Sequence, residues 1–361
     1  MPQKLRIGLI GAGANTRLRH IPGLRAIPDV ELVAVCNRRP ESTAAIAKEY
    51  GIPRTCQSWE EVVADPSIDA IVIGTWPYLH CPITIRALQA GKHVLTEARL
   101  SMNATEAHRM LHAANAHPQL VTQVVPSPFG LAGHDVVREL LDAGFLGELR
   151  EVHVRGCNNA LADAATPLSW RQDAALSGYN MLTLGILHET LMRWAPPPVR
   201  VIAQVQAHIA NRIDPQSGVR RPVGTPDSVQ VLAVLANGAR ASYHLSGATP
   251  FGQAMEIQLL GSDGALVYDL LHDRIRGTNM KHVSSIKLAD LPEISIPPHK
   301  ARTWEVESEF VAAIRDQTPI KFTDFATAVE YMEFTEAVAR SAEEATAVGL
   351  PLEEYETDTR E

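Results

Sequence analysis

Short apolar runs alternate with segments of helical periodicity from residue 4 to about residue 125. This alternation is typical of βαβ units and predicts a parallel sheet covered by helices. Six strands and five crossover helices would form a doubly wound nucleotide-binding domain. The predicted strands are Lys4–Ile10, Val30–Cys36, Arg54–Cys56, Asp69–Gly74, Lys92–Thr96 and Gln119–Val125, and the predicted helices are Asn15–Ala26, Pro40–Tyr50, Trp59–Ala64, His80–Ala90 and Ala104–Ala116.

The pattern changes after Val125, where Pro126-Ser127-Pro128 interrupts the alternation. Alternating strands follow, and Asn237-Gly238 and Ser262-Asp263-Gly264 are turn sequences that join strands as hairpins. We therefore expect an α/β fold in two parts, a dinucleotide-binding domain over residues 1–125 and a substrate-binding α/β domain over residues 126–361. The second domain should contain a large, mostly antiparallel open sheet. A helical stretch over residues 304–347, interrupted near Pro319, should pack on that sheet or return to the first domain.

Composition narrows the class of ligand. The chain has 361 residues, of which 45% are hydrophobic and 20% charged, as expected of globular domains. Its net charge of −8 argues against nucleic acid or an anionic membrane as the main partner, so a small molecule is the expected ligand. Four cysteines without a C-x-x-C pair, and no signal sequence before the first strand, predict a reduced, cytoplasmic protein. His108 and His112 are four residues apart but lack a third ligand, so we expect no metal.

The segment Gly11–Thr16 (GAGANT) lies between the first predicted strand and the first predicted helix. Gly11 permits a tight turn, and Gly13 allows a pyrophosphate to approach the backbone at the helix N-terminus. Thr16 occupies the place of the third glycine of the dinucleotide motif. We expect a dinucleotide here, and the alternative is a strand-to-helix turn without a ligand. The predicted contacts are Gly11, Gly13, Ala14, Asn15 and Thr16.

The end of the second strand indicates which dinucleotide binds. An acidic residue there would hold the ribose 2′-hydroxyl of NAD, but this chain has Asn37-Arg38-Arg39. Two guanidinium groups can neutralise a 2′-phosphate and donate forked hydrogen bonds, and Ser42 is a further donor. We therefore predict NADP(H) in preference to NAD(H). The alternative is an exposed loop with solvated arginines.

Six segments together resemble a known family, the glucose-fructose oxidoreductase and inositol dehydrogenase (Gfo/Idh/MocA) family. The resemblance implies a Rossmann domain followed by an α/β domain whose open sheet often mediates dimers or tetramers. It also implies hydride exchange at a sugar, polyol or related carbonyl carbon. The segments are GLIGAGANTRLRHIP (Gly8–Pro22), DAIVI (Asp69–Ile73), AGKHVLTE (Ala90–Glu97), LLDAGFLGEL (Leu140–Leu149), LGILHETLMRW (Leu184–Trp194) and EYMEFTEAVARSAEE (Glu330–Glu344).

The chain departs from the family pattern after Glu97. The family usually has lysine and proline next, with the lysine near the substrate oxygen, whereas this chain has Ala98 and Arg99. An arginine cannot act as the proton donor, because its pKa stays above about 12. Arg99 could instead bind a carboxylate or phosphate, or stabilise a developing alkoxide.

A second departure lies in the helix after Gly178. The family usually places an Asp and a His four residues apart on this helix, beside the nicotinamide, and an ungapped alignment puts Thr183 and Leu187 there. His188 is turned about 100° from Leu187, so it reaches the pocket only if the helix is locally over- or underwound. Otherwise His188 is a capping or interface histidine. Asn180 shares a helix face with Thr183 and Leu187.

The loop after the fourth strand contains Thr75, Trp76, Tyr78 and His80, where the family more often has Thr-Pro-Asn. In this fold the loop lies beside the nicotinamide ring. Trp76 or Tyr78 would stack on the ring or on a sugar, and Tyr78 is a candidate proton donor. Aromatic packing is the alternative. His80 either holds the loop at the helix start or takes part in proton transfer near Glu97.

One polar segment, Trp170–Asp173 (WRQD), lies outside this family pattern. A tryptophan beside an arginine and an aspartate suits sugar recognition, because the ring offers an apolar platform and the charged groups bind hydroxyls. The alternative is that Arg171 and Asp173 only tie the loop down.

These observations predict an NADP(H)-dependent oxidoreductase that transfers hydride to or from a carbinol or carbonyl carbon of a sugar, polyol or inositol-like substrate. Two alternatives stay open: a non-catalytic NADP-binding sensor of the same fold, and a redox-neutral lyase or glycosidase assisted by the cofactor. We expect a homodimer or homotetramer through the C-terminal sheet. The catalytic candidates are Glu97, Arg99, Tyr78, His80 and His188. The cofactor candidates also include Asn37, Arg38, Arg39, Ser42, Thr75, Trp76, His80 and Glu97, and the substrate candidates are Trp170, Arg171, Asp173, Asn180 and Thr183.

Overall fold

The computed structural model describes residues 4–280 and 286–355. The chain divides into two compact units. The first unit extends to Pro126 and also contains Glu305–Met332, and the second contains Ser127–Trp304 and the chain from Glu333 onward. The segment 305–332, which the sequence boundaries assign to the second domain, therefore belongs to the first unit.

The first unit is built on a parallel sheet of six strands in the order β3-β2-β1-β4-β5-β6. This order confirms the predicted doubly wound fold, in which the carboxyl ends of the strands form the ligand-binding edge. The strands are apolar over consecutive positions because helices cover both faces of the sheet. Their bounds are β1 Leu5–Ile10, β2 Val30–Cys36, β3 Arg54–Thr55, β4 Ala70–Ile73, β5 His93–Thr96 and β6 Thr122–Val124.

Most crossover helices fall where the periodicity predicts them. Ser58 and Asn103 cap two of them through side-chain oxygens that accept a main-chain N–H. Gly91, with φ of 73°, follows α4, as expected of a residue that ends a helix. The helices are α1 Ile21–Arg25, α2 Pro40–Glu49, α3 Trp59–Ala64, α4 His80–Gln89 and α5 Ala104–Asn115.

The segment between β1 and α1 is wound differently from the prediction. The single helix expected over residues 15–26 begins with a π-helical turn, Thr16–His20, and the N–H of Ile21 bonds to the carbonyl of Thr16. The wider turn brings both Thr16 and His20 into the interior, at 1% and 0% exposure. Turns of this kind occur frequently at functional sites.

The second unit is built on a sheet of nine strands in the order β16-β15-β14-β13-β7-β12-β11-β8-β17. Among the described strands of this sheet only β7 and β12 pair in parallel, so the sheet is mostly antiparallel as predicted. Two further strands, β9 and β10, form a separate hairpin. The bounds are β7 Leu149–Cys157, β8 Pro198–Gln206, β9 Asn211–Ile213, β10 Arg220–Pro222, β11 Ser228–Leu235, β12 Arg240–Ser246, β13 Ala254–Gly261, β14 Gly264–Asp269, β15 Arg274–Asn279, β16 Glu293–Ile294 and β17 Val348–Gly349.

Five α-helices follow the sixth strand in the part of the chain that the structure describes. Two of them form the interrupted helical stretch predicted near the C-terminus, with the break between residues 316 and 325, around Pro319. Their bounds are α6 His134–Asp142, α7 Ala174–Ser177, α8 Leu184–Met192, α9 Val306–Asp316 and α10 Phe325–Glu344. None of the helices in the described ranges has the length and apolar content that crossing a bilayer requires.

The two faces of the nine-stranded sheet differ in exposure. Along β11, Val229, Val231 and Ala233 are buried, whereas the intervening positions face outward. On that outward face Leu232 is 63% exposed and its cross-strand partner Ile202 is 46% exposed. The open sheet therefore presents exposed apolar side chains on adjacent strands.

A buried ion pair fixes the start of the second unit. Glu189 and Arg193, one helical turn apart, bond at 2.8 Å with both side chains 6% exposed. Glu189 also accepts the N–H of Ser127, and Arg193 donates to the carbonyls of Ser127 and Phe129, each at 2.9 Å. The pair thus satisfies the main chain of the segment after Pro126.

Candidate functional site

The glycines at the ends of β1 and β4 allow two backbones to approach closely. Gly11 has φ of 85°, and a Cβ there would lie 2.6 Å from the backbone nitrogen of Thr75. A Cβ on Gly74 would lie 2.1 Å from the carbonyl oxygen of Gly11. Thr16 closes the turn, because its hydroxyl donates to that carbonyl at 3.1 Å. The close approach of the turn at residues 11–16, the phosphate loop, to the end of β4 therefore depends on glycine at positions 11 and 74.

Gly13 is different, because the protein leaves space beside it. The nearest atom to a Cβ at this position is the carbonyl oxygen of Gly74, at an ordinary distance of 3.6 Å. Gly13 itself is exposed. The packing of the protein does not require glycine at position 13. A ligand that approaches the backbone there would require it.

A groove with a volume of about 520 Å³ lies at the carboxyl edge of the parallel sheet. No Asp or Glu is among the described residues that line it. Eight predicted cofactor contacts line it, with the predicted Tyr78 beside them: Gly11, Gly13, Asn37, Arg38, Arg39, Ser42, Thr75 and Trp76. Five other predicted contacts are not among its lining residues: Ala14, Asn15, Thr16, His80 and Glu97. Sequence reasoning missed Gln57, Ser58 and Trp59, which line the groove from the chain between β3 and α3.

Asn37 connects the phosphate loop to the second strand. Its Oδ1 accepts the N–H of Ala12 at 2.7 Å, and its Nδ2 donates to the hydroxyl oxygen of Ser42 at 3.0 Å. The main-chain N–H of Asn37 donates to the hydroxyl of Thr43. Asn37 therefore positions the loop through its carbonyl oxygen, a role that the sequence alone did not indicate.

The arginine pair borders the same groove. The guanidinium of Arg38 lies over the ring of Trp76, with 5.0 Å between its carbon and the ring centroid. Arg39 precedes α2 in extended conformation at the N-cap position. Thr75 contributes a buried hydroxyl that has no hydrogen-bond partner within the described chain. Cationic groups, a glycine turn and an unsatisfied hydroxyl fit the phosphate groups of a dinucleotide.

Glu97 lies one strand further along the edge and belongs to a buried charge cluster. Its Oε1 accepts the side-chain N–H of Asn15 at 2.6 Å and is 3.1 Å from Nε2 of His20. The other ring nitrogen of His20 is 2.5 Å from Oε1 of Glu307 on α9. The side chains of His20, Glu307 and Glu97 are 0%, 4% and 15% exposed.

The two carboxylates determine the charge of His20. Burial alone would lower its pKa, but the hydrogen bonds and charges of Glu307 and Glu97 outweigh burial and raise the pKa to about 9. His20 is therefore an imidazolium at neutral pH. Neither His20 nor Glu307 was among the predicted residues. Gly23 leaves the space that Glu307 occupies, since a Cβ there would lie 2.8 Å from Oε2 of Glu307.

His80 joins the two loops beside Glu97. Its Nδ1 is 3.0 Å and 3.2 Å from the carbonyls of Arg99 and Leu100, and its Nε2 is 3.0 Å from the carbonyl of Thr75. The side chain is fully buried, and burial lowers its pKa more than these carbonyls raise it. This geometry corresponds to the loop-holding interpretation. Arg99 itself is only 4% exposed.

The structure places His188 in an aromatic core within the second unit. Its ring stacks on Phe334 with centroids 3.7 Å apart, and Nδ1 is 2.8 Å from the hydroxyl of Tyr243. Burial lowers the pKa of His188 to about 3, so the ring is neutral at physiological pH. His188 therefore packs within the core of the second unit and does not cap a helix.

Thr183 and Leu187 lie against the sheet of the second unit. A Cβ on Gly156 in β7 would lie 2.7 Å from Cδ1 of Leu187 and 3.0 Å from the hydroxyl of Thr183. Asn180 is 1% exposed and donates to the carbonyl of Ser177 at 2.6 Å. The helix begins only at Leu184, with Thr183 at the N-cap, so Asn180 lies before the helix and the predicted face shared by Asn180, Thr183 and Leu187 is wrong.

The Trp170–Asp173 segment forms a short turn followed by α7. Arg171 stacks on Trp170, with 4.4 Å from its guanidinium carbon to the ring centroid. Asp173 accepts the N–H of Ala175 and pairs with Arg221 at 3.0 Å. Asp173 therefore holds the loop, whereas Arg171 and Trp170 stack on each other.

Comparison with known proteins agrees with this geometry. A family model described as an oxidoreductase family with an NAD-binding Rossmann fold matches residues 5–125. A model of the GFO/IDH/MocA C-terminal domain matches residues 134–267. The protein is thus an oxidoreductase with an NAD-binding Rossmann domain. The chain belongs to the Gfo/Idh/MocA family, which confirms the resemblance found in the sequence.

Characterised relatives match at low identity. Levoglucosan dehydrogenase of Pseudarthrobacter phenanthrenivorans is 23% identical over 293 residues, which cover 74% of each chain. The 1,5-anhydro-D-fructose reductase of Ensifer adhaerens is 28% identical over 262 residues, covering 73% of this chain and 75% of the relative. An oxidoreductase domain protein from Kribbella flavida has a solved structure with a TM-score of 0.83 at 23% identity, covering 97% and 100% of the two chains. The structural likeness shows the shared fold.

Proposed function

We propose that the protein is an NADP(H)-dependent oxidoreductase that transfers hydride to or from a carbinol or carbonyl carbon of a sugar, polyol or inositol-like substrate. Two relatives named after such compounds, levoglucosan and 1,5-anhydro-D-fructose, support the substrate class. The observation that carries the cofactor assignment is the groove, in which Arg38 and Arg39 stand beside the phosphate loop without an acidic residue.

Each part of the groove has a role in this proposal. The main chain at Gly13 and the helix start would bind the pyrophosphate, and the two arginines would bind the 2′-phosphate. NADP, when bound, supplies the hydride-accepting nicotinamide. Trp76 and Thr75 would line its site, and Glu97 would lie at its reacting end.

The second unit contributes fewer residues to the proposed substrate site than the sequence predicts. Trp170 and Arg171 are proposed as substrate contacts, since they form an aromatic and cationic platform. We assign no direct chemical role to His188, Asn180 or Thr183, because their contacts are to core groups. Asp173 holds its own loop.

The proposal is tested in two measurements. Titration of nicotinamide fluorescence should give a lower Kd for NADPH than for NADH, and tighter NADH binding would overturn the cofactor assignment. Nicotinamide absorbance should then change with at least one member of a panel of sugars, polyols, inositols and keto-sugars. Product formation without a net absorbance change would instead favour the redox-neutral reaction.

A sensor without catalysis is the second candidate. Ala98 stands where the family usually has its lysine, and Leu187 packs on β7 where the family usually has its histidine. Such a protein would bind NADPH tightly but oxidise or reduce no member of the panel. Its readout would be a ligand-dependent change in thermal stability without turnover.

We further propose a homodimer or homotetramer formed through the outward face of the nine-stranded sheet, in a cytoplasmic protein with four free cysteines. The exposed pair Ile202 and Leu232 lies on neighbouring strands of that face. L232E should reduce the mass measured by light scattering to that of a monomer. V219E is the matched control, because Val219 is 60% exposed but lies beside the β9–β10 hairpin, outside the nine-stranded sheet. A monomeric native protein would overturn the assembly.

A further inference from the structure

The cluster of Glu97, His20 and Glu307 has the composition of a proton-accepting site. Two carboxylates flank one imidazolium, so the cluster carries one net negative charge at neutral pH. The bonds from Asn15 and His20 both end on Oε1 of Glu97. Oε2 of Glu97 has no hydrogen-bond partner among the described residues, and the side chain is 15% exposed.

The other candidates at this edge are less suited to take a proton. Both ring nitrogens of His80 face backbone carbonyls within 3.2 Å, so the ring is committed to holding the loops. Arg99 keeps its proton at all relevant pH values. Ala98, at the position of the family's lysine, has no titratable group.

We propose that Glu97 accepts the proton of the reacting hydroxyl group, and that His20 and Glu307 are positioning residues that hold its carboxylate. This inference rests on the proposed oxidoreductase function. In the oxidation direction, the substrate C–H bond breaks and its electron pair leaves with the hydrogen as hydride to NADP⁺. The O–H bond breaks, its proton passes to Oε2 of Glu97, and the carbon and oxygen form a carbonyl. Reduction reverses each step.

The charge of the cluster favours this transfer. A proton on Glu97 neutralises the net negative charge of the buried group, which lowers the cost of keeping it away from water. His20 holds Oε1, so that only Oε2 is presented to a ligand. Glu307 in turn holds His20 through its second ring nitrogen, and Gly23 leaves the space for Glu307.

Three single variants, one double variant and one control separate proton transfer from positioning. E97Q should lower kcat by at least about 100-fold with NADPH binding retained, as removal of a general base does. H20Q and E307Q should lower kcat by about tenfold each, with little change in the KM for substrate. Adding H20Q to E97Q should cause no further loss, because the positioning residues act through Glu97. E309Q is the matched control on α9, since Glu309 contacts Gln123 rather than His20.

The pH profile and the cofactor-free protein give independent readouts. The charged groups that face His20 are Glu97 and Glu307. Imidazole ¹⁵N NMR of cofactor-free wild type should show both ring nitrogens of His20 protonated at neutral pH and deprotonation near pH 9. The alkaline limb of the kcat profile should fall in the same range and should be absent in H20Q. In E307Q, His20 should deprotonate at lower pH.

The outcomes are distinguishable from failure of the proposed function. If wild type turns over no substrate, the oxidoreductase proposal fails, and the NMR experiment still decides whether His20 is the cation that holds Glu97. If wild type turns over a substrate and E97Q retains its kcat, Glu97 is not the proton acceptor. A neutral His20 at pH 7 would overturn its positioning role.

Discussion

The guanidinium of Arg38 lies over the indole ring of Trp76, and the two side chains come from loops after different strands, β2 and β4. The contact places a cation at the groove wall rather than in free solvent. It therefore orients Arg38 before a ligand binds, which reduces the conformational entropy lost on binding.

We expect R38A to weaken NADPH binding by about tenfold or more, because charge-assisted bonds to a phosphate contribute about 1.5–3 kcal/mol. NADH binding should change little, since it has no 2′-phosphate. Fluorescence titration of both cofactors measures the ratio. R86A on α4, an exposed arginine outside the groove, is the control. An equal loss for both cofactors would contradict a 2′-phosphate contact.

The two loop glycines should respond differently to alanine. G11A should lower the free energy of unfolding by about 1–3 kcal/mol, because position 11 has a positive φ. G13A should leave thermal stability nearly unchanged and weaken cofactor binding, since only a ligand competes for the space. Calorimetry and fluorescence titration, applied to both variants, separate these effects. A destabilised G13A with normal cofactor affinity would contradict this assignment.

His20 should make stability fall at alkaline pH. Its pKa rises from 6.5 when unfolded to about 9 when folded, so the folded state binds the proton more tightly. The contribution is fully present below pH 6.5 and is lost as the pH rises toward 9, at up to about 1.4 kcal/mol per pH unit. Urea unfolding between these pH values measures the slope. H20Q should flatten it, and an unchanged slope in that variant would rule out His20 as its source.

His188 should act in the opposite direction. Its pKa falls from 6.5 to about 3 in the folded state, so stability is fully present above pH 6.5 and declines as the pH falls toward 3. H188Q should reduce this acid sensitivity, because the buried imidazole no longer takes up a proton on unfolding. Its kcat at pH 7 should remain within a few-fold of wild type. A loss of 100-fold or more at normal stability would instead make His188 catalytic.

The Glu189 and Arg193 pair should be important for stability. R193M should lower the free energy of unfolding by about 3–5 kcal/mol, since it leaves a buried carboxylate uncompensated. The exposed pair of Arg138 and Asp142 has the same spacing, with side chains 44% and 65% exposed. R138M should cost at most about 0.5 kcal/mol. Denaturant titration compares them, and equal effects would contradict the importance of burial.

The positions of the strands of the first unit and of most of its helices were predictable because local periodicity reflects burial. Apolar runs such as Ala70–Ile73 are buried at every position, as strands covered on both faces must be. The π-helical turn at Thr16–His20 was not predictable, since no local signal distinguishes it from an α-helix. Its consequence, the inward position of His20, therefore escaped detection.

The residues that line the groove were more predictable than Glu307 and His188. Glycine positions and basic residues follow strand ends in the sequence, so Gly11, Gly13, Arg38 and Arg39 could be placed together. Glu307 could not, because it lies 287 residues from His20 and reaches it only through the fold. His188 could not be assigned for a similar reason, since its neighbours Tyr243 and Phe334 lie on distant elements.

The bond between Asn37 and the N–H of Ala12 has a consequence for redesign. An aspartate at position 37, which would favour the ribose hydroxyls of NAD, retains an oxygen for the Ala12 N–H. Its second oxygen cannot donate to Ser42, so the Ser42 hydroxyl would have to reverse its direction and donate to the carboxylate. Its negative charge would also face the position assigned to the 2′-phosphate. The same side chain thus holds the loop and faces the cofactor, so a substitution at position 37 that changes cofactor choice also changes the bonds that fix the loop.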